Sequence, residues 1–465
     1  MNSSTAENRR EDLLFLSVMI ATFMIGFDTT GLGVAIPDIA TTLGFGVKEG
    51  TWLSISYTAG FAAFLLPAGI ITDKIGSHLT LMTALVVFVL SSVYSICCVS
   101  LESFTIIRLI QGISAAFLNT AAMALLNILY PVSEKKDRSG AFKKWSIFLG
   151  LSFSLGPILG SLIVSYASWQ WIMLINIPLG LFVLFPFIGN RLHNSQSGGT
   201  LRKVSLLSTL PAASILLLIT MHQYAARLSS KHGELTVNVI IALCFILLLL
   251  FHFTSDKSFT RLPDLKNGVF LISLLLPIIF SITYWSLFVV LPGYFTVRLN
   301  MSKMEVMLAM LLLSLPLTIV PTFKLQEKLR LNSTSGFILI SVGLVLLSSI
   351  FLMHTEKHLL ISGLALILLG IGAAILNPVM ARVVMDNVEK ENSGLAAALT
   401  STLRQTGFAV GVAFFSLLTE SESKFSSGLH FSESGALLFS SILPLIALAI
   451  CIGINRRTEL LSKAH

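Results

Sequence analysis

An acidic and a basic side chain interrupt long apolar stretches of this sequence. Asp28 lies in the stretch ATFMIGFDTTGLGVAIP, and Arg108 lies in the apolar stretch that begins near residue 103. In helices that rise 1.5 Å per residue, both groups lie roughly 8–12 Å from the same face of the molecule. A charge inside a membrane costs at least ~2.5 kcal/mol, so each group needs a partner or water. We therefore expect Arg108 to be the partner of Asp28.

Such a pair can serve chemistry or structure. Burial opposes the ionised form of a carboxyl group, whereas a neighbouring guanidinium favours it. The balance can make proton occupancy of Asp28 depend on whether a surrounding cavity is open or closed, which suits proton coupling. Alternatively, the pair only fixes the packing of two helices. The residues leave both interpretations open.

Other polar side chains indicate an internal cavity. Gln111 and Asn119 recur with Arg108 at helical spacing, so one side of their helix is polar. Hydrogen bonding between helices would also explain this polar stripe. Arg404 is the second cation inside an apolar stretch, and its own helix offers it no acidic partner.

The elements that must position these groups are predicted from composition and run length. Of the 465 residues, 54% are hydrophobic and 12% are charged, whereas a soluble protein carries roughly 25% charged residues. Apolar runs of about 20 residues recur, which is the length a helix needs to cross ~30 Å of hydrocarbon. A membrane barrel would instead show alternating segments of ~10 residues. We predict an all-α integral membrane protein.

About fourteen spans are expected from windows of roughly 19 residues. They fall near 13–36, 51–71, 79–98, 103–129, 145–166, 170–189, 204–222, 236–253, 269–294, 304–323, 335–354, 358–380, 395–419 and 435–455. Transporter folds commonly arise from duplicated helix groups. We therefore predict six-helix bundles at 1–190 and 261–465, with an inserted helix pair at 191–260.

The distribution of basic residues predicts the orientation. With a cytoplasmic N-terminus, the tails and loops on that side hold 22 Lys and Arg residues, and the opposite loops hold 7. Cytoplasmic loops of membrane proteins carry such an excess. Both termini are then cytoplasmic. The net charge of +8 lies in short loops that form no basic face, so we do not expect nucleic acid as a partner.

Catalytic and metal-binding constellations are not evident in the sequence. The four cysteines, at 97, 98, 244 and 451, all fall in apolar runs and lack the spacing of a metal site or a disulfide framework. The loops show no nucleophile–base pair and no phosphate-binding loop. We predict neither an enzyme nor a cofactor nor a bound metal.

Short motifs occur in order along the first half of the chain. They are Gly69, Asp73, Lys74 and Gly76 between the second and third spans, Arg108, Gln111 and Gly112 in the fourth span, and Gly156, Pro157 and Gly160 in the fifth. The glycines permit tight turns and close helix approach. Pro157 adds a bend.

Further motifs follow in the later spans. They are Trp169, Trp171, Asn176, Pro178 and Gly180 around the sixth span, Gly370, Gly372, Asn377 and Pro378 in the twelfth, and Ser393, Gly394, Arg404, Gln405, Gly407 and Gly411 around the thirteenth. Together the motifs resemble those of the fourteen-span drug:proton antiporter family of the major facilitator superfamily. The sequence departs from the family pattern at Gly33, Ser77, His78 and Gln170.

The resemblance implies proton-coupled antiport that exports small amphipathic or cationic compounds, such as drugs, across the cytoplasmic (inner) membrane. Two bundles would rock about a central site to give alternating access. Asp28, Arg108 and Gln111 would couple to protons. The loop at 69–76 would gate the cytoplasmic side, and the motif at 156–160 would form a pliable interface between the halves.

The wall of the substrate cavity is expected to include polar and aromatic side chains from several spans. The candidates are Asn119, Tyr284, Trp285, Asn377 and Arg404. Ordinary packing is the alternative for the aromatic ones. The expected partners are a small-molecule substrate, protons and the lipid bilayer, and a periplasmic adaptor stays an open question.

Two other functions compete with drug export. One is a dedicated exporter of a single metabolite, such as a siderophore. The other is a membrane receptor that descends from a transporter and no longer transports, against which the retained Asp28 and Arg108 argue.

Overall fold

The computed structural model describes residues 2–130, 138–187, 268–297, 299–323, 333–353, 359–385, 393–420 and 440–453. All regular secondary structure within these residues is helical. The predicted spans near 204–222 and 236–253, and the whole of the proposed insertion at 191–260, lie outside them.

The helices fall into two groups along the chain. The N-terminal helices are α1 (Asn2–Leu43), α2 (Val47–Ile75), α3 (Ser77–Ser95), α4 (Leu101–Leu129), α5 (Arg138–Tyr166), α6 (Gln170–Leu174) and α7 (Asn176–Leu184). The C-terminal helices are α8 (Gly268–Ser273), α9 (Leu275–Phe280), α10 (Leu287–Val297), α11 (Lys303–Thr322), α12 (Ser333–Met353), α13 (Leu359–Met385), α14 (Ser393–Glu420) and α15 (Ser440–Gly453). A π-helical turn at Ser281–Trp285 joins α9 to α10.

Nine stretches within the described residues are long and apolar enough to cross a membrane. Shorter apolar helices occupy Ser333–Ser349 and Ser440–Gly453. Outside 204–253, each predicted span coincides with a helix or a run of short helices. The prediction of an all-α membrane protein is confirmed, while the count of fourteen spans and the boundaries at 190 and 260 stay predictions.

Local sequence explains where several helices begin and end. α1 is followed by Gly44 at a φ of 75°, and α2 is followed by Gly76 at a φ of 95°, a region of backbone conformation that favours glycine. α11 begins with a capping box, in which the Ser302 hydroxyl accepts a bond from the Glu305 backbone amide and the Glu305 carboxylate accepts one from the Ser302 amide.

Glycines bring α5 close to α1. A Cβ atom added to Gly160 would lie 2.8 Å from the carbonyl oxygen of Gly31, and one added to Gly156 would overlap the side chain of Thr30. Small residues allow helix backbones to approach this closely. The glycines of the motif at 156–160 therefore face α1, whereas the sequence led us to expect them at the interface between the two groups of helices.

The N-terminal and C-terminal helices meet along several pairs, in which α5 packs on α11, α2 on α14 and α1 on α10. Ser154 on α5 donates its hydroxyl to the carbonyl of Ser314 on α11 at 2.9 Å, and Ser314 donates back to the Ser154 carbonyl at 3.3 Å. Phe153 packs on Trp285 with 4.4 Å between ring centroids. The contact between the two groups is therefore close in this state.

Candidate functional site

Asp28 on α1 and Arg108 on α4 form an ion pair in the interior of the N-terminal helices. Both side chains are 0% exposed, and the Arg108 Nη1 atom lies 2.5 Å from the Asp28 Oδ2 atom. The structure thus brings together the two charges that their depth along the helices predicts to be partners. A buried pair of this kind persists because each charge would be costly without the other.

Two amides complete the hydrogen bonding of the Asp28 carboxylate. Gln111 Nε2 donates to Asp28 Oδ1 at 3.1 Å, and Asn176 Nδ2 donates to the same oxygen at 3.3 Å. The Gln111 Oε1 atom accepts a bond from Arg108 Nη1 at 2.7 Å. Three donors from α4 and α7 therefore converge on a group that, when ionised, can only accept.

Ser92 on α3 ties these amides to each other. Its Oγ atom accepts bonds from Gln111 Nε2 at 2.8 Å and from Asn176 Nδ2 at 3.1 Å, and it donates to the Phe88 carbonyl at 3.0 Å. Ser92 is 0% exposed. A single polar cluster thus links α1, α3, α4 and α7, and we call Asp28, Ser92, Arg108, Gln111 and Asn176 the Asp28 cluster.

α2 supports the Arg108 guanidinium from the other side. Arg108 Nε donates to the Leu53 carbonyl at 3.3 Å, and the guanidinium carbon lies 4.3 Å from the centroid of the Tyr57 ring, a cation–π geometry. A Cβ atom added to Gly112 would overlap the Tyr57 backbone. Gly112, in the same motif as Arg108, therefore permits the close approach of α2 and α4 that supplies these contacts.

Family comparison agrees with the helical architecture. The sequence matches the Major Facilitator Superfamily over residues 18–412, which is most of the chain. The chain belongs to this superfamily.

Curated relatives of this superfamily protein are transporters that share about a quarter of its residues. It is 24% identical over 451 residues to the riboflavin transporter RibZ of Clostridioides difficile (strain 630), which covers 94% of this chain and 95% of RibZ. It is 24% identical over 413 residues to the drug efflux pump JefA of Mycobacterium tuberculosis (strain H37Rv), covering 87% of this chain and 80% of JefA. It is 25% identical over 440 residues to the methylenomycin A resistance protein of Bacillus subtilis (strain 168), covering 90% and 89%.

Solved structures share the fold. A POT family transporter in complex with 5-aminolevulinic acid matches with a TM-score of 0.70 at 16% identity, over 96% of each chain. This likeness shows a shared fold, and the superfamily match indicates a transporter rather than an enzyme.

Tyr284 and Trp285, the aromatic cavity candidates, are both buried, and Trp285 lies at the contact between the two groups of helices. Tyr284 is 0% exposed, and its hydroxyl donates to the Leu313 carbonyl at 2.8 Å. Trp285 is 5% exposed and contacts Phe153 of α5. In this state both side chains are packed, and Trp285 would reach a cavity between the halves only if they separate from each other.

The other cavity candidates lie away from the Asp28 cluster. Asn119 on α4, Asn377 on α13 and Arg404 on α14 are half-buried. None of the contacts in the described part of the chain joins them to Asp28. Their assignment to a substrate site stays a prediction.

The predicted gate loop lies where α2 ends and α3 begins. Gly69 and Asp73 are half-buried on α2, Lys74 is exposed, and Gly76 makes the turn. His78, which departs from the family pattern, packs on the Phe187 ring at 5.2 Å. The loop thus combines a sharp turn with a charged surface, and its gating role stays a prediction.

Two members of the Asp28 cluster do not emerge as site residues from the sequence. Asn176 belongs to a motif around the sixth span, and Ser92 lies in an apolar span where a serine usually bonds to its own helix. A polar residue on the inward side of a span is the available signal for each. To use that signal one must know which side of α3 and of α7 faces the interior, and the sequence does not give the rotation of a helix about its own axis.

Proposed function

We propose that this protein is a proton-coupled antiporter that exports small amphipathic or cationic compounds, such as drugs, across the cytoplasmic membrane. The observation that supports the proposal best is the carboxylate of Asp28, fully buried inside a superfamily transporter and held by three donors. Intramembrane ionisable residues of this kind mark proton relays in pumps and transporters. The drug efflux pump and the resistance protein among its relatives support export as the direction.

The partly exposed ion pair between Asp38 and Lys303 has a role in the proposed alternating access. Lys303 begins α11, and its Nζ atom lies 2.6 Å from the Asp38 carboxylate near the end of α1 and 3.3 Å from the Val164 carbonyl near the end of α5. The cation thus meets the negative ends of two helices from the other group. We call Asp38, Val164 and Lys303 the end latch, and in our proposal it closes the outer face.

The proposed proton step changes the hydrogen bonding of Asp28. A proton that enters from the outer side binds one carboxylate oxygen, which removes the negative charge opposite Arg108. Arg108 then loses its counter-charge and the Asp28 cluster rearranges, with Gln111 following the guanidinium. The substrate departs outward as the proton binds, and Asp28 releases the proton to the cytoplasm only after the protein has reopened on that side.

The two loop and helix motifs have mechanical roles in this scheme. The loop that contains Gly69, Asp73, Lys74 and Gly76 would gate the cytoplasmic side. Gly156, Pro157 and Gly160 would let α5 move with α1 as one unit, because their close packing joins the two helices. Both termini would lie in the cytoplasm, as the distribution of basic residues predicts.

Substrate-driven proton movement in sealed vesicles tests the proposal. Purified protein in proteoliposomes receives each compound of a drug panel, and an entrapped pH indicator reports proton flux. We expect flux from the wild type and none from Asp28→Asn. Asp12→Asn, an exposed carboxylate on the same helix, is the matched control and should behave as wild type. Equal flux from the wild type and Asp28→Asn would overturn the coupling assignment.

A dedicated metabolite exporter is the second candidate function. The riboflavin transporter among the relatives, matched over 94% of this chain, favours a single physiological compound. A strain that lacks the gene should then show no change in a toxicity panel but a changed set of metabolites in its medium. A transporter-derived receptor would instead show no proton flux with any compound it binds.

A further inference from the structure

The Asn176 side chain is a buried amide with one half of its hydrogen bonding unused. It is the first residue of α7 and is 0% exposed. Its Nδ2 atom donates to both Asp28 and Ser92, whereas its Oδ1 atom has no hydrogen-bond partner among the described residues. A buried carbonyl without a donor carries an energetic cost. If Asn176 only stabilised the packing of the helices, a carbonyl oxygen without a hydrogen-bond donor would bring no benefit.

Protonation of Asp28 creates the need for such an acceptor. An ionised carboxylate only accepts hydrogen bonds, but a carboxylic acid also carries one O–H donor. Arg108 cannot accept, and the Gln111 Oε1 atom already accepts from Arg108 Nη1 at 2.7 Å. Among the three side chains bonded to Asp28, Asn176 therefore holds the free acceptor.

A rotation of the terminal amide makes that acceptor available. Turning the Asn176 amide by about 180° exchanges its oxygen and nitrogen positions with little change in shape. The oxygen then occupies the point from which Nδ2 now reaches Asp28 Oδ1 at 3.3 Å and Ser92 Oγ at 3.1 Å. The Ser92 hydroxyl can follow, because it rotates to donate where it now accepts.

We propose that Asn176 is a positioning residue of the proton site, which donates to ionised Asp28 and accepts from protonated Asp28 by turning its amide. This inference rests on the proposed proton coupling. The charged and titratable groups that face Asp28 are Arg108 from α4 and Tyr57 from α2; α3 and α7 present the neutral Ser92 and Asn176. Asn176 thus gives the O–H of protonated Asp28 an acceptor inside the buried site.

Infrared difference spectroscopy tests the inference on the wild-type chain. Protein in lipid is brought from alkaline to acidic pH, with asparagine carrying a heavy isotope in its side-chain amide. We expect a carboxylic-acid band that is absent in Asp28→Asn, together with an isotope-sensitive amide band that is absent in the same variant. A carboxylic-acid band without the amide band would overturn the role of Asn176. Absence of the carboxylic-acid band from the wild type would instead overturn the proposed function.

Variants separate the amide from simple packing. Asn176→Leu keeps roughly the same side-chain volume but removes both hydrogen-bonding functions. We expect it to lower the rate of proton-driven transport at least tenfold. Its substrate affinity at alkaline pH should stay within about threefold of the wild-type value. Ser92→Ala should lose less, roughly threefold. Ser91→Ala is the matched control, because its hydroxyl bonds to the Val87 carbonyl of its own helix, and it should leave the rate unchanged. A wild-type rate in Asn176→Leu would contradict the proposal, and where that variant does not fold the infrared bands of the wild type decide.

Discussion

Two ion pairs on α1 use the same chemistry in opposite surroundings. Asp28 pairs with Arg108 at 2.5 Å with both side chains 0% exposed, whereas Asp38 pairs with Lys303 at 2.6 Å with side chains 31% and 45% exposed. Breaking a buried pair costs about 3–5 kcal/mol because it leaves an uncompensated charge. An exposed pair contributes only ~0–1 kcal/mol. Distance alone therefore does not rank the two pairs, whereas burial does.

The two pairs also differ in what they connect. The Asp28 cluster lies wholly within the N-terminal helices, so the buried charges would stay together if the two groups of helices moved apart as proposed. The end latch joins α1 and α5 to α11 and would have to break in the proposed movement. The costly interaction is thus kept away from the moving interface, and the weak one spans it. This arrangement suits a protein that changes state repeatedly.

Removal of the buried cation has the largest expected effect. Arg108→Gln leaves Asp28 without its counter-charge, at a cost of about 3–5 kcal/mol in stability. Lys303→Gln should cost no more than ~1 kcal/mol. Thermal unfolding in detergent, followed for both variants, measures the difference, and equal losses would contradict the comparison. Adding Asp28→Asn to Arg108→Gln should recover part of the stability, since no unpaired charge then remains.

Support of the buried pair by α2 should be the next most sensitive feature. Gly112→Ala places a Cβ atom into the Tyr57 backbone, so α2 must shift, and we expect a loss of about 1–3 kcal/mol as for other overpacked sites. Gly150→Ala is the matched control, because a Cβ atom there meets nothing within 4 Å. It should be neutral or slightly stabilising in the same unfolding assay. Similar losses from both variants would contradict the assignment of the Gly112→Ala loss to the α2 contact, because Ala has the higher helix propensity at both positions.

The end latch should affect the opening rate more than stability. Ser161 is 1% exposed and lines a cavity beneath the latch with Asp38 and Lys303. In a background without native cysteines, Ser161→Cys reports opening through its labelling by a membrane-impermeant maleimide. We expect Lys303→Gln to raise the labelling rate severalfold. The double variant Asp38→Lys with Lys303→Asp exchanges the two charges and should restore slow labelling. Fast labelling of this double variant would show that the contact of Lys303 with Val164, and not the ion pair, closes the outer end.

The sequence predicts the buried ion pair but not the other side chains that surround it, and the reason is physical. Depth along a helix follows from residue number, so Asp28 and Arg108 can be matched from the sequence alone. Rotation about the helix axis does not follow from residue number, and it decides that Asn176 faces Asp28 and that Ser92 faces Asn176. The same limit applies to Tyr284, whose hydroxyl bonds to the Leu313 carbonyl.

Packing partners of helix ends are equally hard to infer. Asp38 and Lys303 are 265 residues apart and lie at helix ends, where charged residues are usually solvated. The glycine motif at 156–160 predicts a close approach correctly but not the helix that approaches, which is α1. Superfamily membership, carried by many short motifs in order, is recoverable because motif order survives at low identity.

Salt gives the smallest expected effect and the sharpest contrast between the pairs. At 1 M ionic strength the screening length falls to about 3 Å, which weakens interactions between exposed charges. Labelling of Ser161→Cys in the protein that retains Asp38 and Lys303 should therefore rise slightly as salt increases. Substrate-driven proton flux should not follow the same salt dependence, because both side chains of the Asp28–Arg108 pair are 0% exposed while the outer face is closed. A parallel salt dependence of labelling and of proton flux would contradict the distinction between the two pairs.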